Sequence, residues 1–226
     1  DDENAYAEMD SLGRFSITMP LPNASQIFLD WGRTTVSTVL EPGETYFFLF
    51  DFTTGQKLFM GKNVRMQNEL IAHPHSWDNY RADMSERGKA DAMKVWAKTD
   101  SIRASQMQEL KELEIKHHTL SQRYLDYVEG YYQNIQANSM LQTRFYTPNH
   151  KLPKEYMDFA GKEFWQKRIQ PYTIYRDFFN FLTDYLDQLT QDRGTSGADG
   201  VAQVMLRLDK EGQVSFPPAS PAHSIL

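Results

Sequence analysis

Among the residues able to do chemistry, the histidines stand out by spacing. His73 and His75 flank Pro74, and two imidazoles at i and i+2 in an extended loop could ligate one metal with a carboxylate from Asp78 or Asp83. His117 and His118 are adjacent on a predicted helix, point in different directions, and cannot easily chelate together. The i, i+4 pair of HExxH is absent. Solvent-exposed imidazoles are the ordinary reading of all four, and neither a metal nor any other cofactor is expected. Glu41 and Glu44 bracket a turn, where nothing separates their environments into an acid and a base. No GxSxG, Walker loop or GxGxxG occurs. The chain has no cysteine, which excludes thiol nucleophiles, CxxC redox motifs and cysteine zinc sites. With no catalytic constellation, the chain reads as a non-enzyme.

The aromatic runs "YLDYVEGYY" and "PYTIYRDFFNFLTDYL" carry a different chemistry. Tyrosines interleaved with Asp, Arg and Asn can stack on sugars or peptides while the polar groups orient them. Tyr131, Tyr132, Arg144, Tyr175 and Arg176 are the residues that would line such a groove. Aromatics at helical spacing also form helix-packing cores, which is the commoner outcome. Arg144 and the Arg176-Asp177 pair then become partly buried ion pairs at helix ends.

The elements that position these residues fall into two periods. Up to about Phe59 the pattern is that of strands. "RFSITM" alternates, "QIFLDW" forms a short strand before Gly32, and "TTVSTVL" is β-branched almost throughout. Glu41-Pro42-Gly43-Glu44 fits a type II turn joining Thr35–Leu40 to Thr45–Phe52 as an antiparallel hairpin. Tyr46, Phe48, Phe50 and Phe52 share one face of the second strand, and Phe47 and Leu49 the other, so this strand is expected to be covered on both sides. From Asn63, a capping candidate, the period becomes helical. Helices are predicted from Asn63 to before Pro74, from Glu86 to Lys98, from Asp100 to His118, and from a Ser121 cap onward. A break at Thr147–Pro153 precedes "KEYMDFAGKEFWQKRI", and Pro171 suits the first turn of a last helix. The expected architecture is α+β: an N-terminal antiparallel sheet over residues 1–62, sandwich-like and not necessarily complete, then a helical domain over 63–192. A linker, a short β-hairpin and a flexible tail are expected over 193–226.

The 226 residues suffice for one large domain or two small ones with a real core. A net charge of −6 argues against a general nucleic-acid binder. No stretch approaches the roughly 20 apolar residues of a membrane span. The acidic start "DDENAYAEMD" is unlike a signal peptide, and a start without Met is expected of a mature chain or of a trimmed one.

"DSLGRFSITMPLPNASQIFLDWGRTTVSTVLEPGETYFFLFDF" followed by "KLFMGKNVRMQNELIAH" resembles the N-terminal region of Bacteroidetes thioredoxin-like proteins of the TlpA/ResA disulfide-reductase group. "LSQRYLDYVEGYY", "MLQTRFY" and "PYTIYRDFFNFLTDYLD" are similar to the helical segment of the same proteins, so the resemblance spans roughly Asp10 to Gln188. It implies a β-rich region and helical insert that precede a thioredoxin domain bearing CxxC. This chain has no cysteine and no room after Asp209 for that domain, so no redox residue carries over. The implied function is a non-catalytic, periplasmic or cell-envelope module that recognises a partner or substrate for an attached or partner thioredoxin-like domain. It would be peripheral to the membrane, through a lipid anchor at most. The other expectation is a free-standing peptide- or glycan-binding protein.

Overall fold

The computed structural model describes residues 5–31, 34–75, 85, 87–165, 173–191, 203 and 206. Its β-rich N-terminal part and the helices after it make the chain α+β. Strands β1 (Ala24–Trp31) and β2 (Thr34–Leu40) pair antiparallel in full register from Ser25–Leu40 to Trp31–Thr34. Their β-branched residues do what such side chains do on a pleated surface, with Val36, Thr38 and Val39 buried.

The Pro42-Gly43 turn forms as the sequence predicts. Gly43 takes φ 75°, and the Glu44 N–H reaches back to the Glu41 carbonyl at 3.4 Å. The expected hairpin across it does not form. The next strand, β3 (Tyr46–Phe50), pairs instead with β4 (Lys57–Gly61) in a separate two-stranded sheet. The Tyr46 hydroxyl accepts a hydrogen bond from the Glu41 N–H at 3.3 Å, and the β3 rings Phe48 and Phe50 sit 5.7 and 4.7 Å from Trp31 of β1. The turn therefore reverses the chain onto the face of the first sheet rather than alongside its edge.

The alternation of "RFSITM" misleads, since residues 14–19 pair with no strand among the described residues and Phe15 and Ile17 are exposed. Period-two spacing needs a neighbour to become a strand.

Helix α1 (Arg65–Ala72) begins at Val64 rather than at an Asn63 cap; the Asn63 amide instead donates to Glu44 at 2.7 Å. The two helices expected over 86–118 are one, α2 (Ala92–Lys116). Asp91 caps it, accepting from the N–H groups of Met93 (3.0 Å) and Lys94 (3.4 Å). At the expected break the Thr99 hydroxyl bonds back to the Trp96 carbonyl (2.9 Å) and the helix runs through. Ile115, near its end, is exposed. Helix α3 (Gln122–Gln142) starts as predicted, with the Ser121 hydroxyl oxygen accepting from the Tyr124 N–H at 3.2 Å.

After 3₁₀ turns at Thr143–Tyr146 and Pro148–His150 come α4 (Lys154–Ala160) and a wide π turn, Gly161–Trp165. Pro171 and Tyr172 lie outside the described residues. Strand β5 (Thr173–Ile174) pairs parallel with Ala24 and Ser25 of β1, and α5 (Arg176–Gln191) begins only after Tyr175, which the sequence places inside the helix.

One apolar core lies among α3, α4 and α5 around Met140, Leu141, Tyr156 and Phe181. Another joins Val39 and α1 to α3 around Tyr124, Tyr127, Val128 and Tyr175. Helix α3 contributes apolar residues to both cores. The linker, hairpin and tail expected over 193–226 fall outside the described residues except at Gln203 and Leu206, which are helical rather than extended.

Candidate interaction surface

Hairpin β3–β4 is apolar on both faces, and only one is covered. Its inner face sets Phe48 on Phe59 at 4.7 Å between ring centres and Tyr46 edge-on to Phe59 at 6.2 Å. Phe59 is buried. On the outer face Phe47 stands opposite Met60 and Leu49 opposite Leu58. These four (Phe47, Met60, Leu49 and Leu58) are 60, 37, 48 and 44% exposed, and Phe52 beyond the strand is 68% exposed. The expectation that β3 is covered on both sides is thus corrected: helix and first sheet reach only the Tyr46–Phe48–Phe50 side.

This surface is held rigidly. At the tip the Asp51 carboxylate accepts from the N–H groups of Thr53 (2.7 Å) and Thr54 (3.2 Å) and from the Thr54 hydroxyl (2.7 Å). The Thr54 hydroxyl bond, first, and then the backbone donors hold the Asp51 pKa below the usual carboxylate range. Gly55, at φ 72°, closes the loop with an N–H bond to the Asp51 carbonyl at 2.7 Å. At the β4 edge the Asn68 side chain of α1 mimics a strand. Its carbonyl oxygen accepts from the Phe59 N–H and its amide donates to the Phe59 carbonyl, both at 2.9 Å. Adjacent apolar pairs on a sheet face, fixed by both a turn and an edge clamp, form the kind of patch that marks a protein contact.

The residues proposed from sequence for a groove lie elsewhere. Tyr131, Tyr132 and Tyr175 are buried in the core between sheet, α1 and α3. The Tyr175 hydroxyl donates to the Tyr127 carbonyl at 2.9 Å. His75 packs against them, 4.0 Å from Tyr131 between ring centres, with its Nδ1 buried among the described residues without a partner. Burial pulls its pKa down to about 4. Burial also pushes the Tyr131 hydroxyl well above its ordinary range.

Arg144 lies more than three helical turns farther along, paired with Asp184 at 2.7 Å and with Asp187, while its guanidinium also covers the Phe145 ring. Arg176 packs over Phe28 (5.5 Å) and its backbone N–H donates to Gln26 at 3.1 Å. The five residues do not share one surface. Among the described residues no three His, Asp or Glu side chains are placed to hold a metal, and Asp78 and Asp83 lie outside them. No described helix is long and apolar enough to cross a membrane.

A polar layer between helices has no clear signal in the sequence. Arg103 donates to Gln136 (3.1 Å) and Glu163 (3.4 Å), Gln136 donates to Asp100 (3.2 Å), and Gln133 donates to the Glu163 carbonyl (3.1 Å). These groups satisfy one another, so the layer fixes how α2, α3 and the π turn align. A shallow depression of about 440 Å3 between α2 and α3 is lined by Met107, Leu110, Leu125, Lys111, Glu114 and Glu129. The chain matches no protein-family model, no curated protein and no solved structure.

Proposed function

We propose that this chain is a non-catalytic recognition module that binds a protein partner through the outer face of hairpin β3–β4. The observation that carries the reading is the exposed quartet Phe47, Leu49, Leu58 and Met60, two cross-strand apolar pairs on a clamped sheet. Uncovered apolar area of this kind is what a partner removes from water. The sequence resemblance supplies the setting and the first partner to try: the cell envelope, and a thioredoxin-like domain either attached to the chain or separate from it. A peptide or glycan groove built on Tyr131, Tyr132 and Tyr175 would need rings that here pack inward, so the hairpin face is the surface on which this reading rests.

The test places a photo-crosslinking amino acid at Phe47 in cells that make the protein, identifies the adduct, and measures affinity with the purified pair. Leu49→Ser combined with Leu58→Ser should weaken binding at least tenfold, the effect of losing about 1.4 kcal/mol of contact. The melting temperature should change little, since both side chains are exposed. Adducts confined to the chain itself, or an affinity untouched by the pair of substitutions, would refute the proposal.

A further inference from the structure

The fold brings together two histidines that the sequence keeps apart. His73 is the residue that ends α1 and His117 the residue that ends α2. Their rings lie 4.6 Å apart between centres, tilted by 48°. Each backbone is fixed: the His73 N–H donates to the Glu69 carbonyl and the His117 N–H to the Leu113 carbonyl, both at 2.8 Å. The His73 carbonyl also accepts from the Tyr124 hydroxyl at 2.7 Å. Both residues are half-buried, so neighbouring side chains limit their rings while solvent still reaches them.

From this geometry we infer that His73 and His117 form a two-imidazole site for a first-row divalent cation that prefers right-angled nitrogen ligands, Cu2+ above Ni2+ and Zn2+. An ion about 2.0–2.1 Å from one nitrogen of each ring stands about 3.2 Å from each ring centre. Ring centres 4.6 Å apart then subtend about 90° at the ion. That is the cis angle of square-planar or octahedral coordination rather than the wider tetrahedral one, and it favours Cu2+ within the usual affinity order. Water completes the coordination.

The neutral imidazole is the ligand. Helix C-termini at both residues add partial negative charge toward a cation. Lys116 opposes it. Glu69 is engaged elsewhere, by Arg65 (3.0 Å) and by the Ser121 N–H (2.9 Å) and hydroxyl. The site differs from the His73/His75 pairing suggested by spacing, because His75 turns to Tyr131.

The experiment is calorimetric titration of the untagged protein with CuCl2, NiCl2 and ZnCl2 in a non-chelating buffer, with electron paramagnetic resonance of the Cu2+ complex. A site tightest for Cu2+ is expected, weakened at least tenfold by His73→Gln or by His117→Gln, with no further loss in the double variant. His118→Gln should leave it unchanged, and Lys116→Gln should tighten it. In the unsubstituted protein the spectrum should show coupling to two imidazole nitrogens, a readout independent of how the variants fold. Affinity unchanged in both single variants, equal loss in His118→Gln, or a spectrum lacking two nitrogens would overturn the assignment.

Discussion

Substituting Gly130 by alanine sets two physical effects against each other. Gly130 lies inside α3, where an exposed glycine-to-alanine change adds about 1 kcal/mol of helix stability. Here the new Cβ would stand 2.3 Å from the Tyr175 hydroxyl oxygen and 3.0 Å from the ring carbon that bears it. Tyr175 is buried and its hydroxyl is bonded to the Tyr127 carbonyl at 2.9 Å, so the phenol has little room to withdraw. Overpacking costs about 1–3 kcal/mol, and loss of the hydrogen bond about 1 kcal/mol more. Repulsion wins, and Gly130→Ala is expected to destabilise the fold by about 1–3 kcal/mol. Equilibrium urea unfolding measures the change directly. Tyr175→Phe removes the oxygen that lies 2.3 Å from the new Cβ. It should cost about 1 kcal/mol alone and, combined with Gly130→Ala, recover part of the loss. A Gly130→Ala protein as stable as the parent, or strictly additive effects in the double variant, would refute the packing argument.

Asn68→Ala strips the Phe59 backbone of both side-chain bonds, so it should cost about 2 kcal/mol and speed hydrogen exchange at the Phe59 amide. His75, with a folded pKa of about 4 against 6.5 in the unfolded chain, contributes stability that is fully present above pH 6.5 and lost as pH falls toward 4. The loss, up to about 3 kcal/mol, should disappear from denaturation curves of His75→Gln. Arg144→Met leaves Asp184 buried without its cation and should cost about 3 kcal/mol at pH 7 by urea unfolding, much of it recovered by adding Asp184→Asn.

Legibility in the sequence follows how local each cause is. Ser121 capping α3, the β-branched strand β2 and the Pro42-Gly43 turn rest on neighbours within a few residues, and each stands where the pattern puts it. β3 joins β4 through the local Asp51–Gly55 turn, but whether it also lies along β2 does not rest on neighbours. A Pro-Gly turn reverses the chain but does not choose between an edge and a face, and the contact with Trp31 that decides it is tertiary. For the same reason an apolar outer face on β3 does not reveal whether anything covers it. Thr99-Asp100 reads as a break between two helices and behaves as helix interior, because the Trp96 carbonyl and the Gln136 amide satisfy both side chains. Gln67, Gln106 and Gln136 are fully buried although their type reads as surface. Their one sequence signal is position within apolar helix faces, as with Gln67 beside Met66 and Leu70. Of the chemistry-bearing residues, His73 stands out in the sequence through its neighbour His75, whereas its neighbour in space comes from the far end of another helix.

Strand β5 also sets an order in time. It closes the first sheet by pairing with Ala24 and Ser25, and the adjacent bond from Arg176 to Gln26 spans 150 residues of chain. At about 5–20 residues per second of synthesis, the ribosome finishes β1 about 7–29 s before it delivers β5. During that interval the Ala24 end of β1 has its open edge exposed, and every helix that separates the two strands in sequence is made first. A nascent chain arrested before Thr173 would therefore carry an unfilled strand position, available to a chaperone or to another copy, that the finished protein no longer offers.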